Sequence, residues 1–174
     1  NNTKSLFQKT VERFKGDIKH LNNITIITNE SYRLILLNQL KEISKTLSNI
    51  NIILEPCTRN TAPSMCLGAL SNQNEELPIV VVPSDQIVDD DKKFLQTIHS
   101  SLKIDYDELG MIAIKPLFPS SNYGYIEFTN ISNINTVKMF IEKPSLELSE
   151  KLIKKGYYWN GGIFICYPNY WISL

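Results

Sequence analysis

Pro78-Ile79-Val80-Val81-Val82-Pro83-Ser84-Asp85 is the stretch on which the fold turns. Its run from Ile79 to Val82 is apolar at both alternating positions, so a strand built from it has no face to offer water. Such strands sit inside parallel sheets that helices cover on both faces. The run ends in a Pro-Ser-Asp turn, after which Asp89 to Ile104 reads as a helix. Asp89-Asp90-Asp91 opens that helix, because acidic side chains are favoured at the positive end of the helix dipole. Met111-Ile112-Ala113-Ile114 then returns to a strand.

The same alternation runs back toward the N-terminus. Lys4 to Lys15 places Leu6, Phe7, Thr10, Val11 and Phe14 on one helical stripe, with Gly16 as its C-cap. Ile24 to Thr28 is a β-branched strand. Asn29 can cap the next helix with Glu30 in its first turn, and Leu36, Leu40, Ile43 and Leu47 repeat there at helical spacing. Asn51 to Leu54 is a strand, Glu55 to Thr61 a polar loop, and Ala62 to Leu70 a short helix. Beyond Pro116 the pattern changes. Tyr123 to Phe128 and Val137 to Ile141 read as a hairpin joined by Asn-rich turn residues. A helix from Leu146 to Lys155 is closed by Gly156, and Gly162 to Cys166 is the last strand. Trp171 to Leu174, apolar and uncapped, is not a natural domain ending. The expected fold is α/β: one domain over 1–174 with a mostly parallel, Rossmann-like sheet, helices on both faces and a β-hairpin insertion.

Composition narrows the function. With 174 residues the chain suits one domain, and 43% hydrophobic and 21% charged residues are ordinary globular usage. Lys+Arg and Asp+Glu balance at 18 each, so no net field draws in nucleic acid or an anionic membrane. Apolar runs are far too short to span a bilayer, and no apolar signal region opens the chain. Cys57, Cys66 and Cys166 lack the C-x-x-C spacing of redox or zinc sites, so reduced thiols in a cytoplasmic protein are expected.

In an open parallel sheet, ligands gather beyond the carboxyl ends of the strands. Five stretches lie where such residues should be. Glu55-Pro56-Cys57-Thr58-Arg59-Asn60-Thr61-Ala62-Pro63 ends a strand and opens a helix, with Pro63 suited to the first turn. Backbone donors there, beside Arg59, form an anion or nucleotide site or simply a capped loop. Asp85, at the end of a central strand, suits a Mg²⁺ ligand or a turn cap, since Mg²⁺ takes one or two carboxylates plus substrate phosphates. Tyr123-Gly124-Tyr125 offers aromatic faces and a close backbone approach for a sugar, or a turn with two structural tyrosines. Glu142-Lys143-Pro144 offers a carboxylate for paired hydroxyls and a point charge for phosphate, or a surface ion pair. In Trp159-Asn160-Gly161-Gly162, Asn160 can hold hydroxyls from a loop kept open by glycines, or the run is only a turn.

Taken in order and spacing, these stretches resemble the bacterial mannose-1-phosphate guanylyltransferases, within the wider sugar-1-phosphate nucleotidyltransferase family. Glu55-Pro56 with Arg59-Asn60-Thr61-Ala62-Pro63, Val82-Pro83-Ser84-Asp85, Tyr123-Gly124-Tyr125-Ile126, Phe140-Ile141-Glu142-Lys143-Pro144 and Tyr158-Trp159-Asn160-Gly161-Gly162 carry the likeness. It runs almost end to end, and Arg-Asn-Thr-Ala-Pro points to the mannose branch. The resemblance implies transfer of GMP from GTP to mannose 1-phosphate, giving GDP-mannose and pyrophosphate with Mg²⁺ as cofactor. It implies nucleotide binding by Arg59, Asn60 and Thr61. It implies a sugar pocket of Tyr123, Gly124, Glu142 and Asn160, with Lys143 at the sugar phosphate and Asp85 as metal carboxylate.

The departures are Thr58 for the family's Gly, Ser84 and Gln86 for Ala and His, Asn122 for Gly, and Gly161 for Ser. The family's Gly-rich phosphate loop, the Lys that follows it, its second metal Asp and its C-terminal β-helix have no counterpart in the 174 residues. Weak or no turnover by this chain alone is therefore expected, with association into a homo-oligomer or with a complementing chain. The competing expectations are a non-catalytic remnant that binds sugar phosphate or a partner chain, and a transferase for another sugar 1-phosphate.

Overall fold

The computed structural model describes residues 4–15, 23–43, 50–57, 60–73, 76–129 and 135–174. The chain divides into two compact units, Asn1–Glu108 with Cys166–Leu174, and Leu109–Ile165.

The first unit is built of helices and short strands. Helix α1 (Leu6–Lys15) is followed by β1 (Ile24–Asn29), a 3₁₀ turn (Glu30–Tyr32), α2 (Arg33–Ile43) and β2 (Ile50–Glu55). Next come α3 (Thr61–Ser71), β3 (Ile79–Val81), α4 (Asp91–Ser101) and, from the far end of the chain, a short helix over Pro168–Ser173. Strands β1 and β2 run parallel in register Ile24↔Ile50 to Asn29↔Glu55, as the β-α-β pattern requires. Val11, Leu36 and the fully buried Leu40 form a core against Phe7, Ile26, Ile43, Ile50 and Ile52. Each fully buried side chain of this size contributes roughly 1.5–3 kcal/mol. Thus the helical stripes read from spacing close on the strands they flank. Gly16 and Leu47, expected to end α1 and to extend α2, lie outside the described residues.

Caps fall where short polar side chains precede helices. The Asn29 side chain accepts from the Ser31 amide, and Asp90 accepts from the Lys93 amide at 2.9 Å. Asp91, in the first turn of α4, takes a 2.5 Å hydrogen bond from Nε of the buried Arg13. The Arg13 guanidinium also lies 5.2 Å from the Phe94 ring centre, so one side chain joins α1 to α4 by charge and by stacking.

The second unit holds β4 (Leu109–Ile114), β5 (Tyr125–Phe128), β6 (Val137–Ile141), α5 (Leu146–Lys154) and nearly all of β7 (Tyr158–Cys166). The β5–β6 hairpin is antiparallel, as expected, with a register shift between Glu127 and Phe128. Antiparallel pairing extends beyond the hairpin, because β5 also pairs with β7 (Tyr125↔Trp159). Strand β4 pairs with β7 too. Tyr125, Leu152, Tyr157 and Trp159 form the core of this unit. Helix α5 is capped by Ser145 and stopped by Gly156, whose φ of +85° is open to glycine at little cost.

One reading changes. The last strand starts at Tyr158, four residues before Gly162, because Trp159 and Ile163 alternate inward and their burial extends the strand across the glycines. The chain end forms a helix over Pro168–Ser173, with Pro168 in its first turn; the Tyr167 ring stacks on Tyr106 with centroids 4.0 Å apart. The three cysteines are free thiols, and burial pushes Cys166 up to about 11. Among the described residues no helix is long and apolar enough to cross a membrane.

Candidate functional site

In the second unit, β5, β6 and β7 bring together three of the predicted stretches. The turn before β5 is tied by Tyr125, whose hydroxyl donates to the Ser120 carbonyl and accepts from the Ser120 amide, both at 3.0 Å. Tyr125 is fully buried. Of the two tyrosines flanking Gly124, then, one is core and the other, Tyr123, is exposed. The Tyr123 ring lies against Trp159 at 4.6 Å, and Phe118 meets the same indole edge-on at 5.1 Å. Trp159 is buried, and its indole N–H has no hydrogen-bond partner among the described residues.

Gly124 is buried between these aromatics and the end of β6. A Cβ at this position would lie 2.7 Å from Phe140 Cζ and 2.9 Å from Glu142 Oε2. Only a residue without a side chain lets Glu142 lie there. Glu142 and Lys143 follow β6, both exposed, with Nζ and Oε1 3.8 Å apart. Lys143 has φ of +41°, a left-handed backbone that costs a non-glycine residue about 1–2 kcal/mol. Sparsely populated backbone of this kind clusters at functional positions.

Asn160 lies within β7, not in a loop. Its amide donates to the Gly124 carbonyl at 2.8 Å, and its side-chain oxygen accepts from the Gly162 amide at 2.9 Å. Gly162 takes φ of +67°, and that local turn is how a strand residue aims its amide sideways.

The first unit carries the other predicted residues. Arg59 lies outside the described residues. Asn60 and Thr61 are exposed at the start of α3, where Asn60 makes no side-chain cap to the helix. Its backbone, φ 66° and ψ −164°, falls in a region nearly reserved for glycine and costs about 1–3 kcal/mol. Pro63 sits in the first turn of α3, as its missing N–H permits. Asp85 is exposed on the turn after β3, and its carboxylate has no ion pair or side-chain hydrogen bond among the described residues. Sequence pattern marks Trp159 only as part of a motif and does not mark Ser64; the burial of the first and the hydrogen bonds of the second are set by tertiary packing.

Glu142 and Lys143 thus lie just past the end of β6, next to Gly124 just before β5 and Asn160 near the start of β7. The chain belongs to the nucleotidyl transferase family, whose model matches residues 1–171. A mannose-1-phosphate guanylyltransferase from Escherichia coli is 37% identical over 173 residues, covering 92% of this chain and 36% of that protein. A Helicobacter pylori structure described as mannose-6-phosphate isomerase matches with a TM-score of 0.84 at 27% identity, over 99% of this chain and 65% of that one. A Thermus thermophilus structure described as mannose-1-phosphate geranyltransferase matches with a TM-score of 0.82 at 25% identity, over 95% and 48%. This chain thus spans little more than a third of the E. coli relative.

Proposed function

We propose that the protein carrying this chain transfers GMP from GTP to mannose 1-phosphate. The observation that supports the reading is at Gly124, whose missing side chain leaves room for Glu142 and whose carbonyl accepts from the Asn160 amide, so that three separate stretches of the resemblance lie close together. The relatives' printed names and the family match support the same class.

A phosphate oxygen of mannose 1-phosphate attacks the α-phosphorus of GTP, the bond to the β-phosphate oxygen breaks, and pyrophosphate leaves with the electron pair. Protein catalysis of such a step rests on alignment and on neutralising charge. Glu142 accepts hydrogen bonds from sugar hydroxyls. The Asn160 oxygen is already engaged by Gly162, so its nitrogen is the end that donates to a hydroxyl. Tyr123 covers an apolar face of the ring, and the Lys143 ammonium offsets the sugar-phosphate charge. Asn60, Thr61 and Arg59 hold the nucleotide near the N-terminus of α3, where backbone donors favour phosphate.

Asp85 fits Mg²⁺: it is a hard oxygen donor, exposed, and engaged by no other described side chain. Bound there, the ion would neutralise charge that builds on the phosphates.

³¹P NMR of the protein with GTP, mannose 1-phosphate and MgCl₂ tests the reading. GDP-mannose and pyrophosphate signals are expected, at a low rate for the 174-residue chain alone. Asp85→Ala should lower the rate by about 10²–10³ without changing Tm, since the side chain holds nothing in place. Product from another sugar 1-phosphate in preference would reassign the substrate. Failure to bind either substrate by calorimetry would overturn the reading.

A further inference from the structure

Glu55 is a carboxylate at the end of β2, and it is buried, at 8% exposure. Ionic side chains are rarely buried without a partner. Its partner is the Ser64 hydroxyl in the first turn of α3, 2.5 Å from Oε1. The same Ser64 oxygen lies 3.1 Å from the carbonyl oxygen of Asn60, so its single proton is shared in a three-centre arrangement that favours the carboxylate. Asn60 is the residue held in glycine-like backbone, and its own side chain caps nothing. Strained backbone persists only where its surroundings over-determine it. Among the described residues the side-chain contact on the Asn60 carbonyl is one hydroxyl, itself held by the buried Glu55 carboxylate at the positive end of a helix.

We infer that Glu55 and Ser64 are positioning residues: they brace Asn60 so that the start of α3 is set to receive the nucleotide. The inference rests on the nucleotide reading above and assigns that site its support. Neither side chain touches ligand in this scheme. Glu55 faces α3 from the strand side, and the exposed side chains of Asn60 and Thr61 are left for the nucleotide.

Four variants test it: Ser64→Ala, Ser64→Thr, Glu55→Gln and Asn60→Gly with Ser64→Ala. Calorimetry reads GTP and mannose 1-phosphate affinity separately, and amide hydrogen exchange reads residues 60–66. Ser64→Ala is expected to weaken GTP about tenfold and to leave mannose 1-phosphate binding unchanged. It should also speed exchange across the first turn of α3. Ser64→Thr keeps the hydroxyl and should match wild type in both measurements. Glu55→Gln keeps an acceptor oxygen and should fall between the two. In the double variant glycine takes the positive φ unaided, so slow exchange should return. Equal GTP affinity and exchange in Ser64→Ala and wild type would overturn the brace, as would fast exchange that persists in the double variant. Absence of GTP binding by wild type would sink the functional reading instead, and the exchange results would still decide the brace.

Discussion

The Asn160 amide donates to the Gly124 carbonyl at 2.8 Å, fastening two stretches of sequence that lie 36 positions apart. Through that bond the residue just before β5 and the third residue of β7 share a backbone link at the candidate sugar site. Gly124 also makes room for Glu142 from a third stretch.

Gly124→Ala should therefore damage binding more than folding. The added methyl meets Phe140 Cζ at 2.7 Å and Glu142 Oε2 at 2.9 Å, and both are ends of exposed, rotatable side chains. They can swing away at a cost of about 1–3 kcal/mol, but Glu142 then no longer lies beside Gly124 at the candidate sugar site. Calorimetry should show mannose 1-phosphate affinity falling at least about tenfold, with Tm lowered by a few degrees. Unchanged affinity would remove Glu142 from the pocket.

How much of this was legible depended on range in the sequence. The stripe of Val11, Leu36 and Leu40 is a local pattern, and it closed into a core as expected. The α/β class followed from strands and helices in alternation. The start of β7 did not, because Gly161 and Gly162 are punctuation for a loop, while the burial of Trp159 that overrides them comes from β5, more than thirty residues away. Similarly, the division of Tyr123 and Tyr125 into exposed and core was invisible until Ser120 supplied both hydrogen bonds to one hydroxyl. The brace from Glu55 to Ser64 spans nine residues and two elements, and a polar loop offers no period by which to find it.

Lys143 separates charge from backbone. Its φ of +41° suits glycine better than any side chain. Lys143→Gly should be more stable than Lys143→Ala by about 1 kcal/mol in denaturant unfolding. Both remove the ammonium, so both should lose affinity for mannose 1-phosphate equally. A Gly variant that binds better than the Ala variant would mean that backbone geometry, not charge, is what Lys143 contributes.

Tyr157 and Glu127 give the second unit a pH signature. The Tyr157 hydroxyl donates to Glu127 Oε2 at 2.8 Å, and Lys138 donates to Oε1 at 3.0 Å. The tyrosine hydrogen bond, then the lysine one, holds Glu127 below its ordinary 4.5. The same bond, helped by desolvation, holds Tyr157 above its ordinary 10.0. A depressed carboxyl stabilises the fold above its unfolded value and loses that contribution as pH falls through the folded one. A raised phenol stabilises below its unfolded value and loses that contribution as pH rises through the folded one. The stability gap between wild type and Tyr157→Phe should be widest and flat at neutral pH. It should narrow both in acid below 4.5 and in alkali above 10.0. A gap that is constant in urea titrations from acid to alkali would show that Tyr157 acts by packing alone.

Gly161 stands where the family resemblance has Ser, and the structure gives the reason a side chain is refused here. A Cβ on Gly161 would lie 2.7 Å from the carbonyl oxygen of Ile112 on the paired strand β4, and 3.1 Å from Ile114 Cδ1. The side-chain neighbour can rotate, but the carbonyl belongs to a strand backbone and can yield only if β4 and β7 separate. Gly161→Ala should thus cost about 1–3 kcal/mol, and Gly161→Ser should cost no less. This is the reverse of the gain usually expected when glycine in a strand is replaced. Because Asn160 is the neighbouring residue, any shift of β7 that relieves the clash also strains its bond to Gly124. Denaturant midpoints and mannose 1-phosphate affinity should consequently fall together in Gly161→Ser. Tolerance of serine with both quantities intact would mean that β4 moves freely and that Gly161 does not set the position of Asn160.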